Sequence, residues 1–273
     1  MFDLFTYTFF NHALIAAFLG SITCGIIGTY VVTRRLVFIA GGITHASFGG
    51  LGIGFFLGFN PLLGAGIFAA LTASVVEAIS GRKKIREDSA IAMAWSFGMA
   101  VGIIFIFLSP GYAPNLMSYL FGSILTVNTT DLVIMLALAL IVSIVFVMFF
   151  NNIQFISFDE EFARAGGANV KFIKYLLIIL VALTSVLYIK VAGIILVLSL
   201  LTIPQNMAIL FTRRLKRIIF LSVIFGMIGS FSGLFISYFL DIPSGASIIF
   251  CLVILYVAAL GIQKIRLLAL RNS

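Results

Sequence analysis

His45 is the residue that stands out chemically in this chain, because nothing near it in sequence resembles it. It follows the Arg34-Arg35 pair inside the run Leu36 to Gly58, which contains no Lys, Arg or acid. Such a run reads as a membrane-spanning helix with a cytoplasmic-looking basic start. An ionisable group inside a span is costly and marks a pathway or a site, and neutral imidazole is the commonest transition-metal ligand. The alternative is an imidazole hydrogen-bonded to a neighbouring helix. One His cannot hold a metal, so further ligands must come from elsewhere or from a second copy of the chain. Helical spacing stacks Gly41, His45 and Gly49 on one face, which leaves the ring uncrowded. Gly42, Ala46, Gly50, Gly54 and Gly58, four apart, form a ladder of small residues where another backbone can approach closely.

Two other stretches carry polar groups that the spans do not explain. The insertion Phe155 to Lys174 contains Asp159, Glu160 and Glu161 in what would be the first turn of a short helix, with Gly166 and Gly167 ending it. A helix that short has little reason to form unless it packs on something; a solvated loop with a capped turn is the alternative. Further on, Pro204 interrupts an apolar run and is followed by Gln205 and Asn206. Carbonyls freed near Leu200 and Leu201 then face a partner helix or a cavity, or the amides simply pack around a kink.

The elements that position these groups follow from composition. The chain has 273 residues, of which 62% are hydrophobic and 10% charged, and its mean hydropathy is +1.24. These values exclude a soluble globule and imply an all-α polytopic membrane protein, a single transmembrane domain over residues 1–273. The net charge of +8 sits in short basic clusters between apolar runs, so it reports topology rather than nucleic-acid binding. Cys24 and Cys251 lie in apolar segments and read as packing residues. No Lys or Arg precedes Arg34, so the first run lacks the basic region of a cleaved signal peptide and is expected to be retained.

In order, an interfacial segment MFDLFTYTFF precedes spans at about Asn11–Thr33, Leu36–Gly58, Leu62–Ile79, Ser89–Leu108, Asp131–Asn151, Tyr175–Ile189, Gly193–Phe211, Ile218–Leu240 and Ala246–Ile262. His12 is read as interfacial, Glu77 as snorkelling or paired, Trp95 as near the cytoplasmic interface and Lys190 as part of an outer turn. Leu116–Val127 is too short to cross and reads as a re-entrant or interfacial helix. Nine spans put every basic cluster and the C-terminus in the cytoplasm; eight remain if the first run does not cross.

No GxxxxGK[ST] loop, strand-borne GxGxxG or HExxH pair occurs. Acids within the spans are nearly absent, which argues against a proton- or sodium-coupled mechanism. The energy for any transport should therefore come from outside the chain.

Four pieces carry a family resemblance: YVVTRRLVFIAGGITHASFGGLGIG (Tyr30 to Gly54), SYLFGSILTV (Ser118 to Val127), FDEEFARAGG (Phe158 to Gly167) and VAGIILVLSLLTIPQNMA (Val191 to Ala208). With these the chain resembles the permease subunits of bacterial ABC importers for zinc, manganese and iron. The resemblance implies a homodimer in the cytoplasmic membrane, two cytoplasmic ATPase subunits that bind the ATP, and an extracytoplasmic metal-binding protein. It also implies that Asp159, Glu160, Glu161, Phe162, Ala163, Arg164, Ala165, Gly166 and Gly167 form the helix that docks on the ATPase. In the family the intramembrane His has an Asp one turn earlier; His45 matches the His, but Gly41 stands at the Asp position. Two His45 rings, completed by water or by oxygens such as those of Thr44 or Ser47, would pass a borderline metal transiently, with zinc slightly favoured by imidazole. Gly41, Thr44, Ser47, Gly49, Gln205 and Asn206 are the pathway-lining candidates. The competing readings are a permease for a metal chelate such as a siderophore or haem, and a secondary transporter that needs no ATPase.

Overall fold

The computed structural model describes residues 6–80, 87–109, 122 and 124–271, and these are helical with short connections. The helices are α1 (Thr8–Thr33), α2 (Val37–Leu57), α3 (Pro61–Ser80), α4 (Glu87–Leu108), α5 (Thr129–Met148), α6 (Phe150–Phe158), α7 (Glu160–Ala165), α8 (Val170–Leu200), α9 (Ile203–Phe211), α10 (Leu215–Leu240) and α11 (Ser244–Arg271). The readings of 81–86, of the outer turn 110–115, and of the segment 116–127 at 116–121 and 123 lie outside the described residues, as does the Glu77 side chain. From the last of these segments, Ile124–Thr126 forms a 3-10 turn.

Seven helical stretches are long and apolar enough to cross a membrane, and the apolar part of α3, Pro61–Val76, is shorter. One of the seven, residues 170–211, runs out and back. Gly193 has φ 77° and ψ 160°, which breaks the helix there, and glycine enters that backbone region without a Cβ penalty. Before the break, Tyr188 donates to Thr23 Oγ1 (3.1 Å) and Lys190 pairs with Asp131 (2.5 Å). After it, Gln205 reaches Cys24 and Gln263, late in α11, donates to the Leu210 carbonyl. The chain past Gly193 thus returns toward the basic end. Among the described residues, the seven stretches stand close to the eight or nine spans expected.

One end collects the cations. Arg34 donates to the Ile156 carbonyl (2.8 Å), and Lys216 sits 5.0 Å from the centre of the Phe150 ring. Among the described residues, the opposite end is tied by neutral contacts and the Lys190–Asp131 pair: His12 Nδ1 lies 3.1 Å from the Val127 carbonyl, and Asp131 completes a capping box with Asn128 at the start of α5. His12, read as interfacial, is therefore a partly buried structural contact.

The small-residue ladder does its expected work. A Cβ on Gly50 would overlap the Gly64 backbone of α3, one on Gly42 would overlap Ile91 of α4, and one on Gly52 would overlap Gly102 of α4. In lipid there is no hydrophobic drive between helices, so such backbone approach is what holds α2 between α3 and α4. The contacts advance together along both chains, from Gly42 with Ile91 to Gly52 with Gly102, so α2 and α4 run parallel.

Candidate functional site

His45 lies two turns into α2, about 12 Å from its start at 1.5 Å per residue. Its ring stacks on Trp95 of α4, with centroids 4.1 Å apart and planes 13° from parallel. Trp95 is itself about two turns into α4, and the Phe38 ring stands 6.4 Å from it, tilted by 54°. Trp95 thus meets a protein ring, a contact that its reading as a residue near the cytoplasmic interface did not include. The available signal was its status as the only tryptophan, inside a span. His45 Nδ1 is buried and has no hydrogen-bond partner, so the alternative of an imidazole tied to a neighbouring helix by that nitrogen fails. With Nδ1 enclosed, Nε2 is the nitrogen left to coordinate.

The neighbours of His45 sort into two kinds. Gly41 is buried, and an added Cβ there would meet Leu198 of α8 at 3.8 Å, an ordinary van der Waals contact without overlap. Gly49 is different. An added Cβ there would come within 2.9 Å of the Gly98 carbonyl and of Phe68, so this glycine belongs to the packing of α2 on α4 and α3, not to an open channel. Thr44 and Ser47 are fully buried, and their hydroxyls donate back to the Ala40 and Thr44 carbonyls, each at 2.6 Å. They satisfy the helix itself, as hydroxyls in apolar surroundings commonly do.

Beyond Gly41 lies the returning arm of α8 and α9. Pro204 falls in the first turn of α9, where its missing N–H costs nothing. Gln205 is fully buried, and its amide donates to the carbonyls of Cys24 (2.8 Å) and Leu200 (3.0 Å). The carbonyl freed by the break is thereby satisfied, and Gln205 clamps α9 to α1 rather than facing an opening. Asn206 points the other way: it is exposed, with its amide on the Thr202 carbonyl (2.8 Å). Ile195, Ser199, Thr202 and Asn206, at helical spacing, make an exposed to half-buried face on the arm that touches Gly41. Among the described residues no three His, Cys, Asp or Glu side chains gather into a metal site.

At the basic end, α6 and α7 form the short helical projection expected from Asp159 to Gly167. Asp159 caps α7 by accepting from the Phe162 N–H (2.9 Å), Ala163 is buried, and Gly166 with Gly167, the latter at φ 82°, ends the turn. The polar insertion is shorter than 155–174: Phe155–Phe158 belong to α6 and Val170–Lys174 open α8. The acids divide. Glu160 meets Arg34 (3.1 Å), Lys174 (3.5 Å) and Arg164 (3.6 Å), with its side chain 29% exposed. It is an internal clasp between α7, α8 and the corner before α2. Glu161, Phe158 and Phe162 face outward, the two rings 63% and 60% exposed, and Phe155 lies edge-on to Phe162 at 5.4 Å. Arg164, Ala165 and Gly166 are exposed beside them. Exposed aromatics gathered outside a membrane span mark a contact surface.

Comparison with known proteins gives four findings of one kind. The model of the ABC 3 transport family matches residues 6–263. The manganese transport system membrane protein MntC of Halalkalibacterium halodurans is 34% identical over 247 residues, covering 90% of this chain and 85% of that one. A probable metal transport system membrane protein of Chlamydia pneumoniae is 38% identical over 256 residues, 92% of this chain and 87% of its own. Among solved structures, PsaBC from Streptococcus pneumoniae in complex with Fab is similar with a TM-score of 0.85 and 33% identity over 94% of this chain and 92% of that one.

Proposed function

Because the chain belongs to the ABC 3 transport family, as its match over residues 6–263 requires, we propose that it is the permease of an ATP-driven importer whose cargo is a divalent metal ion met by His45. The family membership removes the ATP-independent secondary transporter. Its named relatives include manganese transport proteins, which favours manganese over the zinc that imidazole preference alone suggests.

The observation that carries this reading is His45 itself, a ring stacked on Trp95 with one nitrogen enclosed and unpaired and no side chain one turn earlier at Gly41. A lone imidazole cannot bind a metal tightly, which suits a conduit, since the ion must leave as well as enter. A second copy of the chain would bring a second His45, with water and backbone oxygens filling the remaining positions. The chain supplies no groups for ATP chemistry, so hydrolysis falls to two cytoplasmic subunits docked on the Phe158, Glu161 and Phe162 surface, and an extracytoplasmic metal-binding protein delivers the ion. On this reading the basic end and the C-terminus lie in the bacterial cytoplasm, as the positive-inside rule favours.

The test is uptake by the reconstituted complex against manganese, zinc and iron, with His45→Ala beside the wild type. Uptake of one metal that the substitution abolishes supports the reading; uptake unchanged by His45→Ala contradicts it.

A further inference from the structure

We infer that Trp95 is the positioning residue for His45, holding the imidazole plane by stacking where a hydrogen bond would ordinarily hold it. The inference rests on the reading of His45 as the metal ligand. A metal-ligating His almost always donates its second ring N–H to a carboxylate, carbonyl or water, which fixes the ring and raises its basicity. Here Nδ1 is buried and has no such partner. What constrains the ring is the indole face 4.1 Å away and 13° from parallel, itself flanked by Phe38. Stacking fixes the plane of the ring and the direction of Nε2, yet it donates no electron density through a hydrogen bond. The ligand is therefore held in orientation without being made a stronger base. An ion met by such a group is aligned and then released, and a glycine at position 41 puts no charge one turn from the ring to retain it.

Trp95 is the only tryptophan, so its emission in the purified full-length chain in lipid vesicles reports the stack directly. Removing the imidazole with His45→Ala changes the emission, and titrating the wild type with manganese changes it where His45→Ala gives a flat response. For transport by the full complex, Trp95→Leu, which keeps apolar volume without a ring plane, lowers uptake about tenfold, the low end for losing a partner that orients a ligand. Trp95→Phe keeps a stacking face and restores most of it. Complex assembly is the same in all three.

Wild-type uptake in Trp95→Leu overturns the inference while leaving the role of His45 intact. Uptake unaffected by His45→Ala overturns the earlier reading instead. Should Trp95→Leu fail to assemble, the titration decides: a wild-type emission that ignores manganese, in a complex whose uptake needs His45, also overturns it.

Discussion

The two polar regions of this protein solve opposite problems. Around His45 the wall is apolar and close-packed, and the imidazole is held by a ring face with no ion pair and no hydrogen bond to Nδ1. At α6 and α7, a single carboxylate, Glu160, gathers Arg34, Arg164 and Lys174, while Phe158, Glu161 and Phe162 are left to the outside. On the proposed function, the first region holds a ligand that must let go, and the little charge it carries suits that role. The second must stay rigid where it meets another protein, so it carries much. Arg34 connects them, since it ends α1, bonds α6 and α7, and leads into the helix that holds His45.

The comparison is broken most forcefully at its centre. His45→Ala should reduce uptake by about a hundredfold or more, a loss of the ligand itself and so at least as large as losing its supporting groups, with ATPase binding unchanged in a pull-down. At the other region the two acids should separate. Glu161→Lys leaves the fold intact and weakens association with the ATPase by roughly tenfold, on the scale of a rim charge reversal with steering. Glu160→Gln leaves the exposed surface alone and lowers thermal stability, by about 1 kcal/mol for a partly exposed network. Equal effects of the two on docking would erase the division between clasp and surface.

Gly41→Asp sharpens the contrast from the other direction. The position has room, with Leu198 3.8 Å from an added Cβ, and a carboxylate one turn from His45 adds a hard anionic ligand. Metal binding measured by calorimetry should tighten by roughly tenfold, about 1.4 kcal/mol, and turnover should slow as release becomes limiting. The smallest effect is expected far from both regions. Asp131→Ala removes a capping box and the pair with Lys190, which costs about 1 kcal/mol of stability without altering metal selectivity in the uptake assay.

The helices and their ends were legible because apolar run length, basic clusters and the glycine ladder are local signals. The turn between Ile189 and Gly193, read at Lys190, falls at Gly193, and Asp159 with Gly166 and Gly167 bounded α7 correctly. What did not show was which side chains meet across helices. Trp95 and His45 are fifty residues apart, roughly, and only the parallel packing of α2 on α4 joins them. Gly49 looked open because it lies one turn from His45, yet the Gly98 backbone fills the space. For Gln205 the sequence left two readings, a pathway-facing amide or one packed around a kink, and the contacts select the second: the side chain answers the backbone break beside it. Glu160 and Glu161 are neighbours of one type, and only the positions of three cations tell them apart.

The most direct test of His45 as the point where cargo meets the chain is X-ray absorption of the zinc-loaded complex, wild type against His45→Ala. The account predicts an imidazole shell at about 2.0–2.1 Å in the wild type that disappears in the variant. The same spectrum from both proteins would contradict it.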